Sequence, residues 1–97
     1  MRSRTKKDLI AEIAVLIGVD APPMSTGSTE PRRIFELVNE QLGLGIEMDL
    51  PKPELARGIV ERAGFVWSPE CESRGSTVTL NGLQLVLEAV HFFIAPS

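Results

Sequence analysis

Two similar halves make up most of this chain, and this internal repeat limits the folds that it can adopt. Residues 6–18 match residues 52–64 at an offset of 46, and residues 25–40 match residues 73–88 at an offset of 48. The first alignment pairs Lys6 with Lys52, Asp8 with Glu54, Leu9 with Leu55, Ile13 with Ile59 and Gly18 with Gly64. The second pairs Ser25 with Ser73, Gly27 with Gly75, Ser28 with Ser76, Thr29 with Thr77, Val38 with Val86 and Glu40 with Glu88. These matches predict a duplicated helix–loop–helix unit.

Apolar residues recur at helical spacing in four segments of the sequence. We predict helices over about Thr5 to Ile17, Pro31 to Leu42, Pro53 to Ala63 and Leu80 to Ile94. A glycine follows each of the first three segments, as is typical of a helix C-terminus, and Thr79 is a predicted N-cap for the fourth. Ile94 is expected on the inner side of the fourth helix. The phenylalanines expected to fill the core are Phe35, Phe65, Phe92 and Phe93.

The predicted fold class is all-α: a small four-helix domain built from two helix–loop–helix repeats related by a pseudo-twofold axis. Two amphipathic helices cannot bury both apolar faces alone, whereas two paired units can. The 97 residues are expected to form a single domain, with repeat one over about 5–42, a joint over 43–51 and repeat two over about 52–94. Strand signals are weak, and "GFVW" is expected to pair with "STVTL" only briefly. A winged-helix layout stays open, although a repeat argues against it.

Composition limits the class of protein that this chain can be and the cellular compartment in which we expect it. Hydrophobic residues make up 43% of the sequence, which is typical of a compact domain. The formal net charge of -3 excludes a uniformly basic surface, so nucleic-acid binding would need a local basic patch. The chain has one cysteine, no signal-peptide pattern and no apolar run near the roughly 18 residues that span a membrane. These features predict a cytoplasmic protein without a membrane partner.

The pattern S-x-G-S-T occurs twice, at Ser25–Thr29 and at Ser73–Thr77, each time ahead of a predicted helix. One interpretation is structural, because serine and threonine cap helices and glycine permits a turn before them. The other is functional, because a glycine-bearing turn at a helix N-terminus presents N–H groups and hydroxyls to an anion such as phosphate. The pattern is not that of a Walker loop. Both interpretations stay open from the sequence.

Basic residues near the two pentads favour the functional interpretation. Arg32 and Arg33 follow the first pentad, and Arg74 lies inside the second. Two equivalent anion sites related by a twofold axis suit the local dyads of a DNA duplex. The sequence therefore predicts a non-catalytic module that contacts the phosphate backbone of DNA without reading its sequence. The predicted DNA-binding residues are Lys6, Lys7, Ser25, Gly27, Ser28, Thr29, Arg32, Arg33, Lys52, Ser73, Arg74, Gly75, Ser76 and Thr77.

A protein-interaction or dimerisation module is the alternative hypothesis. The acidic balance of the chain favours it, and no lysine or arginine follows Arg74. The C-terminal stretch "HFFIAPS" is expected to expose apolar surface to a partner, to a further domain of the same protein or to a second copy.

No catalytic site, metal site or cofactor is predicted. His91 is the only histidine and is expected on a helix face, so neither a catalytic triad nor a zinc site has the residues it needs. Cys71 is expected in a polar loop, where Glu70 and Glu72 disfavour a reactive thiolate. Trp67 is expected to pack in the core or to anchor a loop, with base stacking or an interface anchor as the alternative. The chain is therefore not predicted to be an enzyme.

Three stretches carry a resemblance to a known family. "STGSTEPRRIFELVNEQLGLG", "KPELARGIVERAGFVW" and "ESRGSTVTLNGLQLVLEAV" resemble the small N-terminal helical modules of bacterial McrA-like, modification-dependent restriction endonucleases with a C-terminal HNH nuclease. The resemblance covers about Lys6 to Phe93 and implies a DNA-binding accessory domain of a larger defence protein. This chain has no H-N-H pattern, so no catalytic residue carries over, and its negative charge departs from an ordinary DNA binder.

Overall fold

The computed structural model of the chain describes residues 5–19, 32–47, 49–73 and 77–95. It confirms the all-α prediction with four helices. In chain order the elements are α1 (Lys6–Ile17), α2 (Arg32–Leu42), α3 (Lys52–Arg62), a 3-10 turn (Pro69–Cys71), strands β1 (Glu72–Ser73) and β2 (Thr77–Val78), and α4 (Leu80–Ile94). Each helix lies within one residue of the predicted bounds at both ends.

The two helices at equivalent positions in the repeats, α1 and α3, end in the same way. Gly18 and Gly64 both adopt left-handed backbone, with φ of 77° and 88°, where a side chain would be strained. The residue after each glycine donates its N–H to the carbonyl five positions back, over 3.0 Å from Val19 to Ala14 and 3.1 Å from Phe65 to Val60. This glycine-centred C-cap turns the chain sharply at both places.

Helix N-termini are fixed by different devices. Thr5 and Asp8 form a reciprocal capping box on α1, with N···O distances of 3.1 and 3.2 Å. The α3 helix relies on proline in its first turn, at Pro53. On α4 the Thr79 hydroxyl accepts from the N–H of Gly82 over 3.3 Å, which confirms the predicted N-cap.

The four helices pack as a ring around one hydrophobic core. Helix α1 packs mainly against α4 and α2, and α3 packs against α2 and α4. Exchanging α1 with α3 and α2 with α4 leaves this order unchanged. Equivalent core positions of the two repeats are buried alike, namely Leu9 and Leu55, Ile13 and Ile59, Phe35 and Leu83, and Val38 and Val86. These observations support the pseudo-twofold axis, which stays a prediction.

Between α3 and α4, the described residues 65–73 and 77–79 are held by hydrogen bonds to one another. The Trp67 indole donates to a carboxylate oxygen of Glu72 over 2.6 Å, and the backbone N–H of Thr79 donates to the Cys71 carbonyl over 2.9 Å. The only strand pairing among these described residues joins β1 to β2 in antiparallel register. The prediction that "GFVW" pairs with "STVTL" is wrong, because Glu72–Ser73 is the strand that pairs with Thr77–Val78.

Three side chains differ from their predicted environments. Cys71 is buried rather than in a solvated loop, because the 3-10 turn lies against α4. Phe92 is 59% exposed rather than in the core, since it lies nine residues after the buried Leu83 and therefore on the opposite side of the helix. Ile94, on the inner side of α4 but at its last residue, is also exposed.

Candidate functional site

The predicted phosphate sites lie largely outside the described part of the chain. This holds for Ser25, Gly27, Ser28, Thr29, Arg74, Gly75 and Ser76. At the two ends of the second pentad, the backbone of Ser73 on β1 pairs with that of Thr77 on β2. Ser73 and Thr77 are therefore strand residues, and α4 begins three residues after Thr77 with its cap at Thr79. The role of these residues in phosphate binding stays a prediction.

The predicted lysines lie at helix starts. Lys6 and Lys52 are the first residues of α1 and α3, and both are partly exposed. Lys7 follows Lys6 and is exposed. The equivalence of Lys6 and Lys52 in the sequence alignment is thus matched by their equivalent places in the two helices.

Both predicted arginines of α2 are engaged within the chain. A guanidinium nitrogen of Arg32 donates to the carbonyl of Leu50 over 2.7 Å. The single carboxylate of Glu36 lies 3.4 Å from Arg32 and 3.4 Å from Arg33. One carboxylate is therefore shared by the two guanidinium groups. A phosphate at this place would compete with Glu36 for both arginines.

The arginines of α3 are engaged as well. Arg57 lies 3.6 Å from the Glu61 carboxylate one turn later, and Arg62 donates to the carbonyl of Leu44 over 3.0 Å. The four arginines in the described ranges therefore all bond to acceptors of their own chain. The mixed-charge outer face predicted for α3 is present, since Glu54, Arg57, Glu61 and Arg62 are all exposed.

Negative charge, in contrast, is presented to solvent. Among the described residues, six exposed carboxylates have no bonding partner, namely Glu40, Glu47, Asp49, Glu54, Glu70 and Glu88. On the described surface, the arginine side chains thus bond to groups of the same chain, whereas these carboxylates are exposed to solvent without a partner. A polyanion approaching this surface meets uncompensated negative charge.

An exposed aromatic cluster lies at the C-terminal end of α4. The ring of Phe92 is in edge contact with two others, with centroids 6.2 Å from Phe65 and 6.0 Å from Phe93. Phe65 and Phe93 pack partly against the core, whereas Phe92 points outward. Two exposed aliphatic residues adjoin these rings in the chain: Val66, 81% exposed, and Ile94. We call Phe65, Phe92 and Phe93 the aromatic patch.

An acidic side chain lies beside Phe92. Glu88 precedes Phe92 by one helical turn on α4, and both side chains are exposed. No lysine or arginine occurs in α4, and its C-terminal carbonyls add partial negative charge at the same end of the helix. On α4, Phe92 therefore lies between Glu88 and the negative end of the helix dipole, with the exposed His91 next to it in the chain.

The residues considered for catalysis are not assembled into a site. Cys71 is 1% exposed and has the Ser68 hydroxyl 3.5 Å from its sulfur, so solvent does not reach the thiol. His91 is exposed on α4, as predicted. Within the described ranges no group of three His, Cys, Asp or Glu side chains is placed to hold a metal ion.

Sequence reasoning missed the bridging role of Glu36, although its position carried the signal. Residues three and four apart meet on a helix surface, so Arg33 and Arg32 were both within reach of Glu36. The bond from Arg32 to the Leu50 carbonyl had no comparable signal, because it joins α2 to the distant end of the joint.

Comparisons with known proteins add no relative. No family model matches the chain, and neither a curated protein nor a solved structure matches it. Across the described residues, none of the helices has the length and apolar character needed to cross a membrane.

Proposed function

We propose that this chain is a non-catalytic protein-docking domain that binds a partner through the aromatic patch. The observation that carries the proposal is the exposure of Phe92, whose ring is supported from two sides by Phe65 and Phe93. Aromatic side chains held rigidly at a surface are typical anchors of protein interfaces, since little conformational entropy is lost when they bind. An exposed apolar cluster on a small domain marks an interaction site.

The charge distribution favours a protein over a nucleic acid as the partner. Nucleic-acid binding depends on free lysine and arginine side chains that displace counterions from phosphates. The described arginines bond within the chain, and the open charges on the described surface are mostly carboxylates. A docking surface for protein needs no such basic patch.

Site-specific photocrosslinking in cells that naturally produce this protein tests the proposal. A photoreactive phenylalanine analogue replaces Phe92 in one variant and Glu40, which is exposed on α2, in a control. We expect a discrete protein adduct at position 92 that excess wild-type protein suppresses and excess Phe92→Asp protein does not. Equal adducts at both positions, or suppression by both competitors, would contradict docking through the aromatic patch.

We also propose a second candidate function, contact with the DNA phosphate backbone. It is favoured by the equivalent helix-start positions of Lys6 and Lys52 and by the two adjacent arginines, Arg32 and Arg33, at the start of α2. In this function the predicted residues of the two pentads and Arg74 complete the phosphate contacts. The resemblance to restriction-endonuclease modules supports it, and the parent protein would then be a cytoplasmic defence enzyme.

Releasing Arg33 on α2 provides a sharp test of DNA binding. Glu36→Gln removes the carboxylate that Arg32 and Arg33 share; Arg32 keeps its bond to the Leu50 carbonyl, while the exposed Arg33 is released and should strengthen binding to a labelled random-sequence duplex. Glu40→Gln makes the same charge change on the same helix at a side chain without a bonding partner. Binding should weaken with salt by about 0.9 log unit per log unit of salt for each phosphate contacted.

Two results would remove the DNA hypothesis. One is equal affinity of the Glu36→Gln and Glu40→Gln proteins, which would show that the freed arginine contributes nothing specific. The other is unchanged binding by an Arg33→Glu/Arg74→Glu double variant. Measurements of fluorescence anisotropy at low and moderate salt decide both.

A further inference from the structure

We infer that the partner of the aromatic patch is an amphipathic helix with lysine or arginine residues bordering its apolar face. This inference rests on the proposed docking function and specifies the chemistry of the partner. It combines two independent observations, the arrangement of the rings and the sign of the charges around them.

The ring arrangement suits a helical apolar face. Phe92 stands out from α4 between two rings that are themselves partly packed on the core, so its orientation is fixed before binding. A preorganised anchor loses little entropy when a partner covers it. Side chains at positions i, i+3, i+4 and i+7 of an incoming helix form a continuous apolar stripe that covers such a patch.

The surrounding charge selects basic residues beside that stripe. Glu88 lies one turn before Phe92, is exposed and has no bonding partner. The C-terminal end of α4 adds the negative end of a helix dipole. Cationic side chains of a partner helix therefore gain from both, and acidic ones are repelled.

The same charges disfavour a second copy of the chain as the occupant. A symmetric contact through the aromatic patch brings Glu88 of two copies toward one another, with no lysine or arginine on either α4 to compensate. Each copy also carries a net charge of -3. A heterologous basic helix meets no such repulsion.

Three matched peptides of about 18 residues test the inference by fluorescence anisotropy with the full chain. The first has leucine at helical spacing with lysine elsewhere, the second has glutamate in place of lysine, and the third is a scramble of the first. We expect saturable binding of the leucine/lysine peptide only. Phe92→Ala should weaken it by at least about tenfold, as is typical of an anchor residue.

Charge variants separate the local effect from the overall charge. Glu88→Lys should lower the affinity of the chain for the leucine/lysine peptide several-fold. Glu40→Lys on α2 makes the same change in net charge and should leave this affinity nearly unchanged. Circular dichroism confirms that each variant is folded, since all three substituted side chains are exposed.

Several results would overturn the inference. Equal affinity for the glutamate peptide or for the scramble would remove the chemistry proposed for the partner. Equal effects of Glu88→Lys and Glu40→Lys would remove the local charge preference. A Phe92-dependent dimer of the chain alone, seen by sedimentation, would identify a second copy as the occupant. If the peptides fail while the adduct at position 92 persists, the docking function stands and only this partner class is wrong.

Discussion

Gly82 lies at the closest approach between α4 and the loop that precedes it. A Cβ atom at this position would lie 2.3 Å from the Cys71 carbonyl oxygen, 2.7 Å from a methyl of Val78 and 3.1 Å from the Trp67 ring. The nearest of these is a backbone atom, which cannot move aside as a flexible side chain can. Glycine here allows the 3-10 turn to pack directly on the helix.

We expect Gly82→Ala to lower the free energy of unfolding by about 1–3 kcal/mol, because it overpacks this contact. Gly58→Ala is the matched control, since Gly58 is also inside a helix but would meet only the side chain of Ile46, whose terminal methyl is nearest at 3.3 Å. There the gain in helix propensity offsets the tight contact, so the change should stay below about 1 kcal/mol. Urea unfolding followed by circular dichroism measures both. Equal losses would show that helix position, and not the Cys71 carbonyl, sets the cost.

At the scale of the element, the start of α4 depends on one hydroxyl that makes two bonds. The Thr79 side chain accepts from the Gly82 N–H and donates to the Glu70 carbonyl over 2.7 Å. It thus caps the helix and ties it to the 3-10 turn. Because the pentad ends at Thr77, its own hydroxyls are not the cap of this helix.

Thr79→Ala should therefore destabilise the domain by about 1–2 kcal/mol, through loss of the cap and of the bond to the turn. Thr79→Ser keeps the hydroxyl and should retain most of the stability. Thermal unfolding of the three proteins is the measurement. A serine variant as unstable as the alanine variant would show that the methyl group, rather than the hydroxyl, is what matters.

At the scale of the whole molecule, the two repeats contribute equivalent residues to one core. Ile13 and Ile59 are both fully buried, and each lies near the middle of the first helix of its repeat. If a pseudo-twofold axis relates the repeats, the two positions have similar surroundings and similar energetic weight.

Ile13→Ala and Ile59→Ala should each cost about 2–5 kcal/mol, and the two values should agree within about 1 kcal/mol. Val15→Ala, at an exposed position of α1, should change stability by no more than about 0.5 kcal/mol. Equilibrium unfolding should show a single transition for all variants. A large cost at one isoleucine and a small one at the other would argue against equivalent halves.

The helices could be predicted because their signals are local. Apolar spacing gave the four segments, and glycine after α1 and α3 gave their ends, since only glycine adopts the required φ without strain. The environment of Cys71 was not predictable in the same way, because it depends on a loop folding back onto α4. The exposure of Phe92, in contrast, follows from helical spacing, since Phe92 lies nine residues after Leu83, and the expectation of a core position overlooked this.

The candidate site was only partly predictable. The stretch "HFFIAPS" indicated exposed apolar surface, but its contact with Phe65 requires α3 and α4 to be neighbours. The repeated pentad sequence did not predict where the second pentad lies in the fold. Ser73 and Thr77 pair with each other as strand residues, and neither is the N-cap of α4. The engagement of Arg32 by Leu50 likewise depends on tertiary structure.

The first helix, α1, packs mainly on the last helix, α4, and this determines when the core can form during translation. When α1 leaves the ribosome, its main partner has not yet been translated. At about 5–20 residues per second, the apolar side of α1 waits roughly 4–15 s for the end of α4. Through that interval the nascent chain presents Leu9, Ile10 and Ile13 without their final cover, so this domain acquires its core only after its last helix is complete.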